Sequence, residues 1–154
     1  MTTPTPTKQL AAFLAKYDAV VARLAREALT YLRKRLPGAF ELVYDNYNAL
    51  AIAFSPSDKS SAAIVSIALY PRWVSLFFAE GARLPDPKKI LRGGGNKMRH
   101  IVLTSAEDIR SPGVEALISG ALKIAGEPFE VARRGRLLIK VVAAKQRPRR
   151  PDAR

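Results

Sequence analysis

The most distinctive segment for chemistry is a glycine loop with flanking cations, residues 93–100. It holds three successive glycines and three basic side chains, namely Gly93, Gly94, Gly95, Lys97, Arg99 and His100. Successive glycine amides can form a concave anion-binding site, and nearby cations neutralise the anion. The loop lacks the Gly-Lys-Ser/Thr ending of a nucleoside-triphosphate loop and leads into a strand. It therefore predicts either a phosphate-binding site or a turn in which glycine supplies positive φ angles.

A second cationic feature is the C-terminal segment, residues 133–154. It carries nine Lys or Arg and one Asp, a net charge of +8, whereas the whole chain carries +13. Such a segment attracts polyanions through long-range electrostatics and counterion release, although it can also serve only to keep the chain soluble. The residues that we expect to contact a nucleic acid or another polyanion are Arg133, Arg134, Arg147, Arg149 and Arg150.

Catalytic and metal-binding patterns are weak. The sequence has no cysteine and one histidine, His100, so thiolate chemistry is excluded and no Gly-x-Ser-x-Gly motif accompanies the imidazole. Hard cations require clustered carboxylates, and the carboxylates of this sequence are scattered. The one adjacent acidic pair, Glu107 and Asp108, is explained more simply by capping of a helix or turn. We expect no catalytic residue, no metal site and no cofactor.

Aromatic side chains are concentrated in the first half of the chain, where the pattern predicts strands. On an open sheet face they could stack nucleic-acid bases, and otherwise they fill a core beneath helices. No ribonucleoprotein-type motif accompanies them. These residues are Tyr44, Tyr47, Phe54, Tyr70, Trp73, Phe77 and Phe78.

The elements that must position these residues follow from the hydrophobic periodicity. A helical period runs from an N-cap at Thr7 to the stop at Pro37, and we expect one long helix there. Period-two patterns predict strands over residues 41–45, 49–55, 63–70 and 73–78, joined by short turns as in an antiparallel meander. A short helix over 87–91, a strand over 99–103, a second long helix after Ser111 that ends at Gly126, and a strand over 136–144 follow. The predicted class is α+β, with two long helices on one face of a mainly antiparallel sheet.

Length and composition predict one domain. We expect a flexible leader over residues 1–7, a single domain over 8–144 and a basic disordered tail over 145–154. Residues 1–7 contain no apolar stretch typical of a signal peptide, and no apolar run approaches the roughly 20 residues that span a bilayer. We therefore expect a cytoplasmic protein without a membrane partner.

From about Leu14 to Ala125, the chain resembles the YdhG-like domain family. The most specific matching residues are Leu84-Pro85-Asp86-Pro87, Leu91, the glycine loop with Asn96-Lys97-Met98-Arg99-His100, and Ile109. Supporting matches are Leu36-Pro37-Gly38, Tyr44 and Phe78-Ala79-Glu80-Gly81. The resemblance implies a frataxin-like α+β sandwich.

One member of that family looks like an intracellular iron chaperone, a role that needs an acidic ridge on the first helix. Here that helix offers Asp18 and Glu27 against seven cations, which would repel iron. They are Lys8, Lys16, Arg23, Arg26, Arg33, Lys34 and Arg35. We therefore expect a non-catalytic binding module for an anionic partner: a phosphate-bearing ligand, a nucleic acid or an acidic protein. An iron chaperone is the alternative.

Overall fold

The computed structural model describes residues 4–126 and 135–151 as an α+β domain built on one six-stranded sheet. The strands are β1 (Phe40–Asp45), β2 (Leu50–Ser55), β3 (Val65–Leu69), β4 (Val74–Phe78), β5 (Arg99–Leu103) and β6 (Leu137–Val142). Their order across the sheet is β5-β4-β3-β2-β1-β6. The four pairings from β1 to β5 are antiparallel, which confirms the predicted meander, and β6 pairs with β1 in parallel. The sheet is therefore mixed.

The helices are α1 (Pro6–Leu14), α2 (Ala19–Arg35), α3 (Ala106–Ile109) and α4 (Pro112–Ala125). Helix α4 and its stop at Gly126, which has a φ of 77°, were predicted correctly. The acidic pair before α4 was also interpreted correctly, because Asp108 forms a capping box with Ser105 at the start of α3. The predicted helix over 87–91 is wrong. There the Asp86 carboxylate accepts hydrogen bonds from the amides of Ile90 and Leu91, which folds the chain into a turn.

The single long helix expected before Pro37 is two helices. Helix α1 begins after Thr5, whose hydroxyl accepts the Lys8 amide at 3.2 Å, rather than after Thr7. It ends at Leu14. Three residues later, the Tyr17 hydroxyl contacts the sheet, where it donates to the Leu69 carbonyl and accepts from the Leu50 amide. The helical period of apolar residues continues through this break, because Tyr17 is buried, as an apolar residue on the core side of one continuous helix would be. The break between α1 and α2 therefore accompanies hydrogen bonds to distant strands, which the hydrophobic period of the sequence does not indicate.

The core lies between the helices and one face of the sheet. Alternate residues of β2, β3 and β4 join the buried faces of α1, α2 and α4 in one apolar cluster. In the central strands these residues are Leu50, Ile52, Phe54, Val65, Ile67, Leu69, Val74, Leu76 and Phe78. The intervening residues on the opposite face are mostly small, namely Ala51, Ala53, Ser66, Ala68 and Ser75. This alternation of large and small residues distinguishes the two faces of the sheet.

The segment after β6 packs against the domain up to residue 151, which differs from the disordered tail that we expected. The amide of Ala143 donates to the Asp45 carbonyl, and the amide of Arg147 donates to the Tyr47 carbonyl at 2.8 Å. Farther along, the Arg149 side chain is buried against Asp45. These contacts return the chain to the end of the sheet that carries the β1–β2 and β3–β4 turns.

Candidate functional site

The glycine loop is an exposed turn whose cation is directed at its own backbone. Gly93 and Gly95 have φ angles of 112° and 94°, as the turn interpretation requires. The Arg99 guanidinium donates to the carbonyls of Gly94 and Met98, at 3.2 and 2.7 Å. These two carbonyl oxygens thus accept from a guanidinium nitrogen of Arg99 that was expected to donate to an anion. Phosphate binding by Lys97 and Arg99 stays a prediction.

The predicted site residues Arg99 and His100 begin strand β5 and have different partners on the neighbouring strand β4. Arg99 pairs with Phe78 and lies so close to Gly81 that a Cβ on that glycine would come within 2.5 Å of the Arg99 Cβ. His100 pairs with Phe77 on the other face, where the ring centroids are 5.1 Å apart. Adjacent strand residues point to opposite faces, and His100 lies on the face that bears the small residues. Both side chains nevertheless reach the glycine loop, because a Cβ at Gly93 would lie 3.6 Å from Nδ1 of His100 and 3.8 Å from Cδ of Arg99. Their joint contact with one anion stays a prediction.

Of the five arginines predicted to form a polyanion-binding tail, the structure describes three, and each has different contacts. Arg133 and Arg134 lie outside the described residues. Arg149 is 6% exposed and bound to Asp45, so its charge is already neutralised within the fold. Arg150 donates to the carbonyls of Lys16 and Ala15 and lies 3.9 Å from an Asp18 oxygen. Arg147 stacks on Tyr47, with its guanidinium carbon 5.6 Å from the ring centroid.

The returning segment closes one wall of a groove at the end of the sheet, which we call the hairpin groove. It has a volume of about 910 Å³. Its lining residues come from the β1–β2 turn, the β3–β4 turn and the C-terminal segment: Asn48, Tyr70, Pro71, Arg72, Trp73, Arg147, Pro148, Arg150 and Pro151. None of these nine described residues is acidic, and three carry a guanidinium group. The groove therefore favours a negatively charged occupant.

A second depression, which we call the open-face depression, adjoins the hairpin groove and shares Asn48 and Tyr70 with it. It has a volume of about 530 Å³ and extends over the face that carries the small residues. Ala51, Ser66 and Ala68 are among its lining residues, and Tyr47, Phe77 and Met98 also line it. The small side chains leave room between the aromatic ones. The two concavities thus form one continuous surface with aromatic and cationic groups.

Exposed aromatic rings are held in defined positions on this surface. The Tyr70 and Trp73 rings stack across the β3–β4 turn, with centroids 4.8 Å apart and planes inclined by 19°. Trp73 is nevertheless 41% exposed, and Tyr47 is 45% exposed. Two of the seven aromatic residues considered for base stacking, Phe54 and Phe78, are buried in the core, as the alternative interpretation of these residues predicted.

Sequence reasoning missed the hairpin groove, although part of its signal was present. In an antiparallel meander, alternate turns lie at the same end of the sheet, so the turns near Asn48 and Arg72 had to be neighbours. Trp73 is one of the aromatic residues of the predicted strands, whereas Arg72 lies in the short turn between two of them and matches no motif. No sequence pattern indicated that residues 147–151 would return to the same end. That placement depends on burial of Arg149 beside Asp45.

Asp18, at the N-cap of α2, and Glu27, within α2, each lie near an arginine. Asp18 lies 3.9 Å from Arg150, and Glu27 lies 3.5 Å from Arg23 on the same helix. Within residues 4–126 and 135–151, no three His, Cys, Asp or Glu side chains are grouped so that they could hold a metal ion. No helix in these ranges has the length and apolar character needed to cross a membrane.

Comparison of the chain with protein-family models, with curated proteins and with solved structures found no match in any of the three. The function therefore has to be argued from the geometry of the chain itself.

Proposed function

We propose that this protein is a non-catalytic binding module that holds an anionic partner in the hairpin groove. The single observation that carries the proposal is the lining of that groove, which combines three arginines with the exposed Trp73 ring and the half-buried Tyr70 ring and contains no acidic residue. Opposite charge at a concave surface raises the local concentration of an anionic partner and steers its approach.

The three arginines are not equally available. Arg150 is shared with Asp18 and with two backbone carbonyls of the α1–α2 turn, so part of its hydrogen-bonding capacity is used. Arg147 is oriented by the Tyr47 ring, and Arg72 follows Pro71 in the tight β3–β4 turn. We assign anion binding mainly to Arg72 and Arg147, because stacked or turn-anchored guanidinium groups lose less freedom when they bind.

The family resemblance supports the same architecture without adding a ligand. We propose a YdhG-like domain with frataxin-like packing, and α2 and α4, with 17 and 14 residues, are its two long helices. The iron-chaperone alternative gains no support from the first two helices, whose carboxylates Asp18 and Glu27 each lie beside an arginine. A cytoplasmic location is proposed on composition alone, since the chain has no cysteine.

The proposal is tested by binding of heparin, a polyanion without aromatic bases, to the full chain at low salt. The double variant Arg72→Gln/Arg147→Gln should weaken binding by about tenfold, because two exposed charge contacts of roughly 0.7 kcal/mol each are lost. The control is Arg23→Gln/Arg26→Gln, which removes the same charge from the exposed side of α2. Equal losses in the two variants would mean that net charge alone attracts the polyanion, and the groove would not be the site.

A further inference from the structure

We infer that the partner held in the hairpin groove is a single-stranded nucleic acid, whose unpaired bases stack on Trp73 while its phosphates contact Arg72 and Arg147. This inference rests on the proposed function, and it adds the chemical class of the anion. Proteins that bind single strands without sequence preference combine aromatic stacking positions with a cationic groove, and both are present on this surface.

The first observation is where the chain exposes large apolar side chains. Of the six that are exposed in the described residues, Trp73 lines the hairpin groove, and Tyr47 and Met98 line the adjoining depression. Half of the exposed large apolar residues thus lie on one continuous surface. An exposed group of this kind usually marks a binding site, because each such side chain forgoes the stabilisation that burial would give.

The second observation is the orientation of the rings. Tyr70 packs nearly parallel to Trp73 at 4.8 Å, so the indole is held in one orientation while 41% of the residue remains accessible. A ring that is already oriented stacks on a base with little loss of side-chain freedom. Every base has an apolar face, so stacking of this kind tolerates any sequence.

The third observation is the spacing of charge and ring along the chain. Arg72 is adjacent to Trp73 in the β3–β4 turn, and Arg147, which lines the same groove, lies over the Tyr47 ring of the adjoining depression. Phosphates and bases alternate along a single strand, so a surface that alternates guanidinium groups with aromatic rings matches its chemistry. An acidic peptide would need the arginines but not the exposed rings, and a duplex would offer phosphates but no unpaired bases.

The test uses the intrinsic fluorescence of Trp73, because it is the single tryptophan of the chain. The full chain is titrated with oligothymidylate of about twelve nucleotides, a length within the usual range of single-strand sites. The matched control ligand is an abasic oligomer with the same number of phosphates. Oligothymidylate should quench Trp73 and bind at least about fivefold more tightly than the abasic oligomer, because stacking contributes about 1 kcal/mol or more for each base.

Further titrations compare other anionic ligands with oligothymidylate. Oligouridylate is compared with oligothymidylate to distinguish RNA from DNA, and a duplex of equal length and poly-glutamate are the competing anions. Trp73→Leu should lose the preference for oligothymidylate over the abasic oligomer, and Trp73→Phe should keep part of it. Equal affinity for the abasic oligomer, the duplex or poly-glutamate would overturn the inference.

The two proposals fail in distinguishable ways. If heparin binding depends on Arg72 and Arg147 but no oligonucleotide quenches Trp73, the groove binds anions and the base-stacking inference is wrong. If the groove double variant and the α2 double variant bind heparin equally, the proposed function fails as well. Thermal unfolding of each variant shows whether a loss of binding comes from a loss of fold.

Discussion

Arg149 and Asp45 form an ion pair in which both side chains are almost wholly buried. Nη2 of Arg149 lies 2.9 Å from Oδ1 of Asp45, and the side chains are 5% and 1% exposed. The second carboxylate oxygen accepts from Gln146 at 2.8 Å and lies 3.6 Å from Lys16. The Arg149 guanidinium also lies over the Tyr17 ring, at 5.8 Å from its centroid. This pair fixes the C-terminal segment beside the α1–α2 turn and so forms one wall of the hairpin groove.

Replacement of Arg149 by methionine should destabilise the fold by about 3 kcal/mol, because the Asp45 carboxylate would stay buried without its main partner. The matched control is Arg150→Met, which removes a 60% exposed side chain and should cost less than about 1 kcal/mol. Urea unfolding measures both values. The double variant Asp45→Asn/Arg149→Met should recover part of the loss, since it leaves no isolated charge. Equal stability of the two single variants would show that the segment is not fixed as described.

Alkaline pH should destabilise the protein through Tyr31 of α2, whose hydroxyl donates to Glu115 of α4. Burial, followed by a hydrogen bond to the Glu115 carboxylate, raises the pKa of Tyr31 from 10.0 to about 12. The folded state therefore favours the protonated phenol. Its contribution to stability is complete below pH 10 and is lost as the pH rises from 10 through 12.

The measurement is the free energy of unfolding in urea at a series of pH values from 8 to 12. Tyr31→Phe should flatten the decline between pH 10 and 12, whereas the control Tyr47→Phe, which changes a 45% exposed ring, should leave it unchanged. Some decline should remain in Tyr31→Phe, because burial also raises the pKa of Tyr17. An identical decline in wild type and Tyr31→Phe would contradict the prediction.

The glycines around β5 should respond to alanine in opposite ways. Gly81→Ala should destabilise by about 1–3 kcal/mol, because the new Cβ would lie 2.5 Å from the Arg99 Cβ and 2.7 Å from the Arg99 amide nitrogen. Gly94→Ala should be neutral or slightly stabilising, since no atom lies within 4 Å of its Cβ. Gly95→Ala should fall between them because of its φ of 94°. Thermal unfolding ranks the three variants, and a Gly94 variant as unstable as Gly81→Ala would refute the described close approach.

The sequence by itself determined the α+β class, the antiparallel meander and helix α4. These follow from local rules, because side-chain period, turn residues and the glycine stop at Gly126 act within a few residues of where they stand. In β3 the period of two puts Val65, Ile67 and Leu69 on one face and Ser66 and Ala68 on the other, as the structure has them. A person reading the sequence could therefore expect a face of small residues on the sheet.

Only the tertiary structure decided the break at Tyr17, the parallel pairing of β6 with β1 and the return of residues 147–151. Each depends on partners far apart in the chain: the Tyr17 hydroxyl bonds Leu50 and Leu69, and Arg149 binds Asp45. The sequence shows Arg149 as one of several tail cations, because charge alone does not reveal whether a guanidinium faces water or a buried carboxylate. The hairpin groove has the C-terminal segment as one wall because this distant pairing, with the backbone hydrogen bonds of Ala143 and Arg147, places that basic segment at the end of the sheet.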